Sequence, residues 1–220
     1  RILIFKGRIM RRFLSILLLT GTMVACTQQT SEPVAEAPAP APVAAPSPTA
    51  WVLDNDGSSL YFLSIKAEHV VETHSFTSLS GQVDATSATV DIDLSSVDTA
   101  VELRDERMLE FLFEVGSFAS ASVTADVTGL ALADLSAGES ITTELPFTLD
   151  LHGASNNMTA AVQLTQLADG ALRIQTTSPV NVNAGDYSLV DGVNKLRELA
   201  GLPSVSYAVP VTFNLLFNPA

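Results

Sequence analysis

From Trp51 to Phe217 the sequence predicts an all-β domain: eight antiparallel strands closed into an up-and-down barrel, with two helical excursions. Three observations lead there. The dominant hydrophobic period is two, as where Val90, Ile92 and Leu94 alternate with Asp91 and Asp93, and strict alternation marks a strand with one buried and one wet face. Turn-forming clusters separate several of these runs, including Leu135-Ser136-Ala137-Gly138, Gly153-Ala154-Ser155-Asn156 and Ala168-Asp169-Gly170. Closure of such a set removes the exposed edges an open sheet would leave. A two-sheet sandwich fits the same alternation.

The strands fall at about 58–66, 78–84, 88–95, 119–128, 140–152, 158–167, 171–178 and 205–217. In the fifth, Ile141, Leu145, Phe147, Leu149 and Leu151 share one side, opposite Thr142, Glu144, Thr148, Asp150 and His152. Two segments break the period. Thr99–Val115 reads as a helix capped by Asp98 or Thr99, with Val101, Met108, Leu109 and Leu112 near one face. Ser188–Ala200 reads as a second, closed by Gly201 and then Pro203.

Ahead of the domain the chain changes character. Arg8, Arg11 and Arg12 precede an apolar run from Phe13 to Leu19, then small residues and Cys26, the only cysteine. This order is that of a secretory leader, residues 1–25, and its apolar part falls short of the roughly 20 residues that span a bilayer. Met10 reads as the start and residues 1–9 as a mis-called extension. Met23-Val24-Ala25-Cys26 resembles the lipobox of bacterial lipoproteins, which implies a diacylated Cys26 as the first mature residue. Two acyl chains hold a protein stably on a membrane, where one does so only marginally. Thr27 in place of Asp implies, by the same resemblance, the outer membrane rather than the inner, on the periplasmic face. Residues 26–50 then form a Pro/Ala-rich tether, with six prolines after Cys26, a composition that favours extended polyproline II. Residues 51–220 are the barrel domain, held by its core without disulfides.

Loss of residues 1–25 removes five of the eleven basic residues and none of the 24 acidic ones, taking the net charge from −13 to −18. A surface so acidic repels phosphates, which excludes nucleic acid as a partner.

Several stretches resemble the YceI-like family of exported, lipocalin-like barrels associated with polyisoprenoid lipids. Trp51-Val52-Leu53-Asp54 with Ser59-Leu60-Tyr61-Phe62 resembles its opening strand, and Phe76 with Ser80-Gly81 its next motif. Val90 to Thr99, Arg104-Asp105, Phe118 to Val123, and Leu149-Asp150-Leu151-His152-Gly153 follow in the family's order. Ala119 stands where the family usually has Pro, His74 near a position usually small, and Asn183 to Ser188 in place of a late Asn-Arg-x-Asp-Phe-Gly motif. The resemblance implies an apolar lipid ligand, such as an isoprenoid quinone or polyprenol, inside the barrel.

An eight-stranded barrel is wide enough either to fill itself or to enclose one small ligand. The residues expected to line it are Phe62, Ile92, Phe147, Leu149, Leu151, Val162, Leu164, Leu172, Ile174, Val211 and Phe213. Residue by residue each reads equally as ordinary core. Phe111, Leu112 and Phe113 are candidates for a lid over the mouth and equally for a staple between helix and barrel. Arg104 is the candidate for a headgroup, since its fork makes paired hydrogen bonds, with Asp105 to orient it; a surface salt bridge or cap is the plainer reading. His69 and His74, beside Glu68 and Glu72, are five residues apart and read as solvated loop histidines rather than metal ligands. His152 reads as exposed. Asp54-Asn55-Asp56-Gly57 reads as a turn, because Ile65 stands where a calcium loop needs Glu. No nucleophile elbow, P-loop or dinucleotide fingerprint is present, so no catalysis is expected. Apart from the lipid no cofactor is expected. The partners expected are that lipid, the membrane through Cys26 and, compatibly, a second copy of the chain. The alternative is a non-enzymatic envelope scaffold with a solid barrel, which needs an apolar exterior patch near Leu189-Val190 or Val193.

Overall fold

The computed structural model describes residues 49–220. The leader, Cys26 and the tether up to residue 48 lie outside the described residues. Eleven strands form one antiparallel sheet: β1 (Ala50–Lys66), β2 (Val70–Phe76), β3 (Leu79–Asp84), β4 (Ser87–Asp93), β5 (Val97–Asp98), β6 (Ser120–Asp126), β7 (Ser140–Leu151), β8 (Ala154–Gln166), β9 (Leu172–Thr176), β10 (Val180–Asn183) and β11 (Ala208–Pro219). The sheet closes because β1 pairs with β11, from Trp51↔Pro219 to Phe62↔Val211. Eight staves run around the barrel as β1, β3, β4, β6, β7, β8, β9 and β11. Closure, not a sandwich, is therefore the solution the alternation adopts.

The extra strands are staves broken in two. Both β3 and β2 pair with one edge of β1, β3 with residues 50–52 and β2 with residues 60–66. Likewise β9 and β10 share one edge of β11. The sequence reading misses β2 because Glu72 and His74 occupy its inward positions while Val71 is exposed, so the hydrophobic alternation is inverted. It also starts the first strand eight residues late. Asp54 to Gly57 is not a connecting turn but a bulge within β1: five residues on β1 advance against two on β11 between Asp54↔Leu216 and Ser59↔Asn214. The Asp54 carboxylate accepts the backbone N–H groups of Asp56 and Gly57 at 3.1 and 3.2 Å, which stabilises the bulge.

The first helical excursion is shorter and differently wound than expected. Helix α1 (Glu102–Arg107) begins at Val101, with no side-chain cap from Asp98 or Thr99, and Met108–Leu112 continue it as a turn of π-helix. The widened turn closes with the Phe113 N–H on the Met108 carbonyl at 2.9 Å. Met108 and Phe113 are both buried. Helix α2 (Val190–Leu199) ends, as expected, before Gly201 at φ 62°. Gly192 lets the two helical pieces meet: a Cβ there would lie 2.5 Å from the Phe111 carbonyl oxygen and 2.8 Å from Leu112 Cα.

The core is not uniform along the barrel axis. At one end Trp51, Val83, Val127, Val162, Leu164, Leu172 and Phe217 are almost wholly buried, and Leu132 and Leu135, beside short 3₁₀ turns, pack against them. The Trp51 indole N–H donates to the Gly170 carbonyl at 2.9 Å, tying this end to the β8–β9 turn. At the other end the β8 ladder parts from its neighbour after Val162↔Thr176. The gap is filled by Tyr187, buried in a 3₁₀ turn (Ala184–Tyr187), with its hydroxyl 3.2 Å from Met158 Sδ.

The register also fixes where side chains are forbidden. A Cβ on Gly81 of β3 would fall 2.3 Å from the Thr89 carbonyl oxygen on β4. Gly81→Ala should therefore lower unfolding free energy by about 1–3 kcal/mol in urea titrations, as overpacking does. An unchanged midpoint would contradict this β3–β4 register.

Candidate ligand cavity

Inside the end opposite Trp51 lies a cavity of about 180 Å³. Every residue bordering it is apolar. Its barrel wall comes from β1, β2, β4, β6, β7, β10 and β11, and its roof from Met108, Leu112, Phe113, Leu189 and Val193. Of the residues expected to line a ligand site, Phe62, Ile92, Phe147, Leu149, Leu151, Val211 and Phe213 border it. Val162, Leu164, Leu172 and Ile174 do not: they pack into the solid end, with the first three essentially without exposure. Alternation tells which face of a strand turns inward, not the level along the axis. Leu60, Phe76, Leu94, Ala121, Val123, Val180, Val182, Ala184 and Val209 are wall residues the sequence reading omits. Leu60 and Val123 continue predicted strands, and their period was the available signal. Val180 and Val182 sit on a four-residue strand too short to announce itself.

The roof corrects one lid assignment. Leu112 and Phe113 border the cavity, and Phe113 stacks at 5.7 Å between centroids with Phe76. Phe111 does not border it; its backbone is the part that meets α2 at Gly192. Leu189 and Val193, expected on an exterior patch in the scaffold reading, are buried in the same roof.

Beside the cavity is an outer chamber of about 320 Å³, with Phe62, Met108, Leu112, Val193 and Val209 as shared walls. The inner cavity is comparable to the roughly 150 Å³ apolar voids that stay dry and accept benzene. The outer chamber reaches the lower edge of the roughly 300–1,000 Å³ usual for small-molecule sites. Unlike the inner cavity, the chamber is mixed, bordered by Ser64, Lys66, Glu72, His74, Arg104 and Arg107 as well as apolar residues.

These polar groups form one network. Glu72 Oε2 receives both Lys66 Nζ and Arg104 Nη1, each at 2.8 Å. Its carboxyl is held below the ordinary range by the Lys66 hydrogen bond first, and by both cations' charge against the cost of burial. Arg104 also donates through Nε to Thr99 Oγ1 at 2.8 Å and through Nη2 to the Thr99 carbonyl. Asp105 accepts the Thr99 hydroxyl and, at 3.1 Å, its backbone N–H. Arg104 and Asp105 thus communicate through Thr99 and anchor the start of α1 to β2. This is the structural role, and it leaves the Arg104 fork committed to protein partners.

His74 is not a solvated loop histidine: it is 4% exposed on β2. Its Nε2 lies 2.8 Å from Ser64 Oγ, its ring 5.2 Å from that of Phe62, and its Nδ1 has no hydrogen-bond partner among the described residues. Desolvation lowers its pKa below the usual 6.5, helped by the Arg104 charge, while Glu72 and Asp105 oppose the shift. His69 is exposed in the β1–β2 turn, as expected. His152 is more covered than expected: its side chain is 10% exposed, 2.9 Å from Glu114 Oε2 and stacked 4.3 Å from Phe118. It pins the far end of the lid segment to the β7–β8 hairpin, where His152 and Gly153 take φ values of 50° and 76°. Among the described residues no group of three or more His, Cys, Asp or Glu side chains is placed to hold a metal.

A closed barrel with a wholly apolar inner cavity under a helical roof is the architecture of a protein that encloses an apolar group. Residues 51–217 match the model of the YceI-like domain, and the chain belongs to that family. Among solved structures, a polyisoprenoid binding domain from Saccharophagus degradans, implicated in plant cell wall breakdown, is 38% identical, with a TM-score of 0.75 over 79% of this chain and 99% of that one. BcnA from Burkholderia cenocepacia shares the fold at 18% identity, with a TM-score of 0.59 over 74% of this chain and 98% of its own. No curated protein sequence matches the chain.

The lowered pKa of His74 has a measurable sign. Because the folded state holds this proton more weakly than the unfolded chain, the resulting stability is complete above about pH 6.5 and is lost as pH falls through the lowered value. Between pH 7 and 5.5 the urea midpoint of the wild type should fall more steeply than that of His74→Gln. Equal slopes would show that the imidazole ionises freely in the folded state.

Proposed function

We propose that this protein is a lipid-anchored envelope carrier that holds the hydrocarbon tail of an isoprenoid quinone, polyprenol or similar lipid in the hollow half of its barrel, without catalysing a reaction. The observation that carries this reading is the inner cavity with no polar residue on its walls. A tail gains about 0.8 kcal/mol for each CH₂ withdrawn from water, so such a cavity binds without any polar grip. Membership of the YceI-like family and the 38% identity to a polyisoprenoid binding domain support the choice of ligand class. The leader and Cys26 support an anchored protein on the periplasmic side, outer membrane rather than inner, with the Pro/Ala-rich segment as its tether.

The full-length protein, purified from its native host and extracted with organic solvent, should release a stoichiometric prenyl lipid detectable by mass spectrometry. Val182→Phe, which fills the inner cavity, should lose that lipid while remaining folded. A wild type that is always empty and binds no prenyl probe would contradict the carrier reading. Separately, Cys26→Ser should abolish incorporation of labelled fatty acid and move the protein from the membrane to the soluble fraction. Unchanged membrane retention would overturn the anchor.

A further inference from the structure

The outer chamber bears on which end group the ligand carries, an inference that rests on the carrier reading above. We propose that the chamber recognises a neutral, oxygen-bearing headgroup, a carbonyl or hydroxyl set against His74, and discriminates against a phosphorylated one.

The first observation is the unmatched nitrogen. His74 borders the chamber, is buried, and spends one ring nitrogen on Ser64. Its Nδ1 is left without a partner among the described residues. A buried polar atom left unpaired costs stability that a bound oxygen would recover. If Nε2 accepts the Ser64 hydroxyl, Nδ1 is an N–H donor and suits a carbonyl or hydroxyl oxygen. In the other tautomer Nδ1 is an acceptor and suits a hydroxyl. Both are neutral partners.

The second observation is that the chamber's anion position is already filled. Lys66 and Arg104, the cations nearest His74, converge on the single Glu72 carboxylate. Arg104 is further tied to Thr99, and Asp105 adds a second negative charge facing the same ring. A phosphate entering here would meet the Glu72 carboxylate and would have to displace it from both of its cations. Arg107 is the one chamber cation with no carboxylate partner among the described residues, and it reaches the Leu199 carbonyl at 3.5 Å. One loosely held guanidinium does not offset that arrangement. The lowered pKa of His74 keeps the imidazole uncharged at neutral pH, which removes the remaining source of attraction for an anion.

The third observation is continuity. Phe62 borders both the chamber and the inner cavity and touches the His74 ring. An oxygen at His74 therefore lies beside the passage a tail must follow into the apolar interior.

The test uses the full-length protein and four probes sharing one C20 prenyl tail or its saturated equivalent: the alcohol, a prenylated benzoquinone, the monophosphate, and the headless hydrocarbon, each competing with a fluorescent prenyl reporter. The alcohol and quinone should bind about tenfold tighter than the monophosphate. The alcohol and quinone should also bind tighter than the headless hydrocarbon; His74→Phe should bring them down to the hydrocarbon's affinity without changing that affinity, and Glu72→Gln should improve the monophosphate selectively. The wild-type ranking stands on its own should either variant fold poorly. A monophosphate that binds as well as the alcohol, or an alcohol affinity untouched by His74→Phe, overturns the headgroup inference while leaving the carrier reading intact. Failure of all four probes, hydrocarbon included, overturns the carrier reading and this inference with it.

Discussion

The ladder from Trp51↔Pro219 to Phe62↔Val211 joins the first strand of the domain to the last, and the interior exists because of it. An open sheet of these strands would expose two hydrogen-bonding edges and leave Phe62, Val211 and Phe213 on a surface rather than around a space. Closure also fixes the width of that space. Eight staves leave a bore that ordinary side chains can fill, so whether any volume survives is decided by side-chain size at each level. At the level of Val162, Leu164, Leu172 and Phe217 the bore is full. Nearer the helices, Ala121, Ala184 and several valines leave a void that the roof covers but does not fill.

The roof is held at separate points by different interactions. Near the start of α1, Arg104 and Asp105 engage Thr99 and Glu72; at the other end Glu114 meets His152, and between them Gly192 brings α2 against the π-helical turn. Between these points Met108, Phe113, Leu189 and Val193 bury their side chains over the cavity, while the solid end is locked by fully buried side chains.

Much of this was legible before any coordinates. Strands β4, β6, β7, β8 and β11 announce themselves because apolar residues alternate with polar ones, and the helix ending at Gly201 follows from its stop signals. The failures have physical causes. Strand β2 turns Glu72 and His74 inward and Val71 outward, so its pattern reads as a loop with charged neighbours; those inward polar residues are the ones that build the outer chamber. Val162 and Leu172 look the same in sequence as Phe147 and Leu149, because a period of two encodes face but not height. Arg104 reads in the sequence as a headgroup candidate or, more plainly, a salt-bridge or capping residue, but its commitment to Glu72 depends on a contact across 32 residues of chain that no local pattern records. The π-helical turn is likewise invisible to an analysis that assumes 3.6 residues per turn.

The central claim is that one half of this barrel is hollow, lined only by apolar side chains, and continuous with a second chamber. Xenon pressurisation of crystals tests it directly, since xenon enters apolar voids and not packed cores. The account predicts xenon bounded by Phe147, Leu149, Val182 and Val211, and none among Val162, Leu164, Leu172 and Phe217. A structure with no xenon at either level, or with side chains of the roof collapsed into the inner cavity, would contradict it.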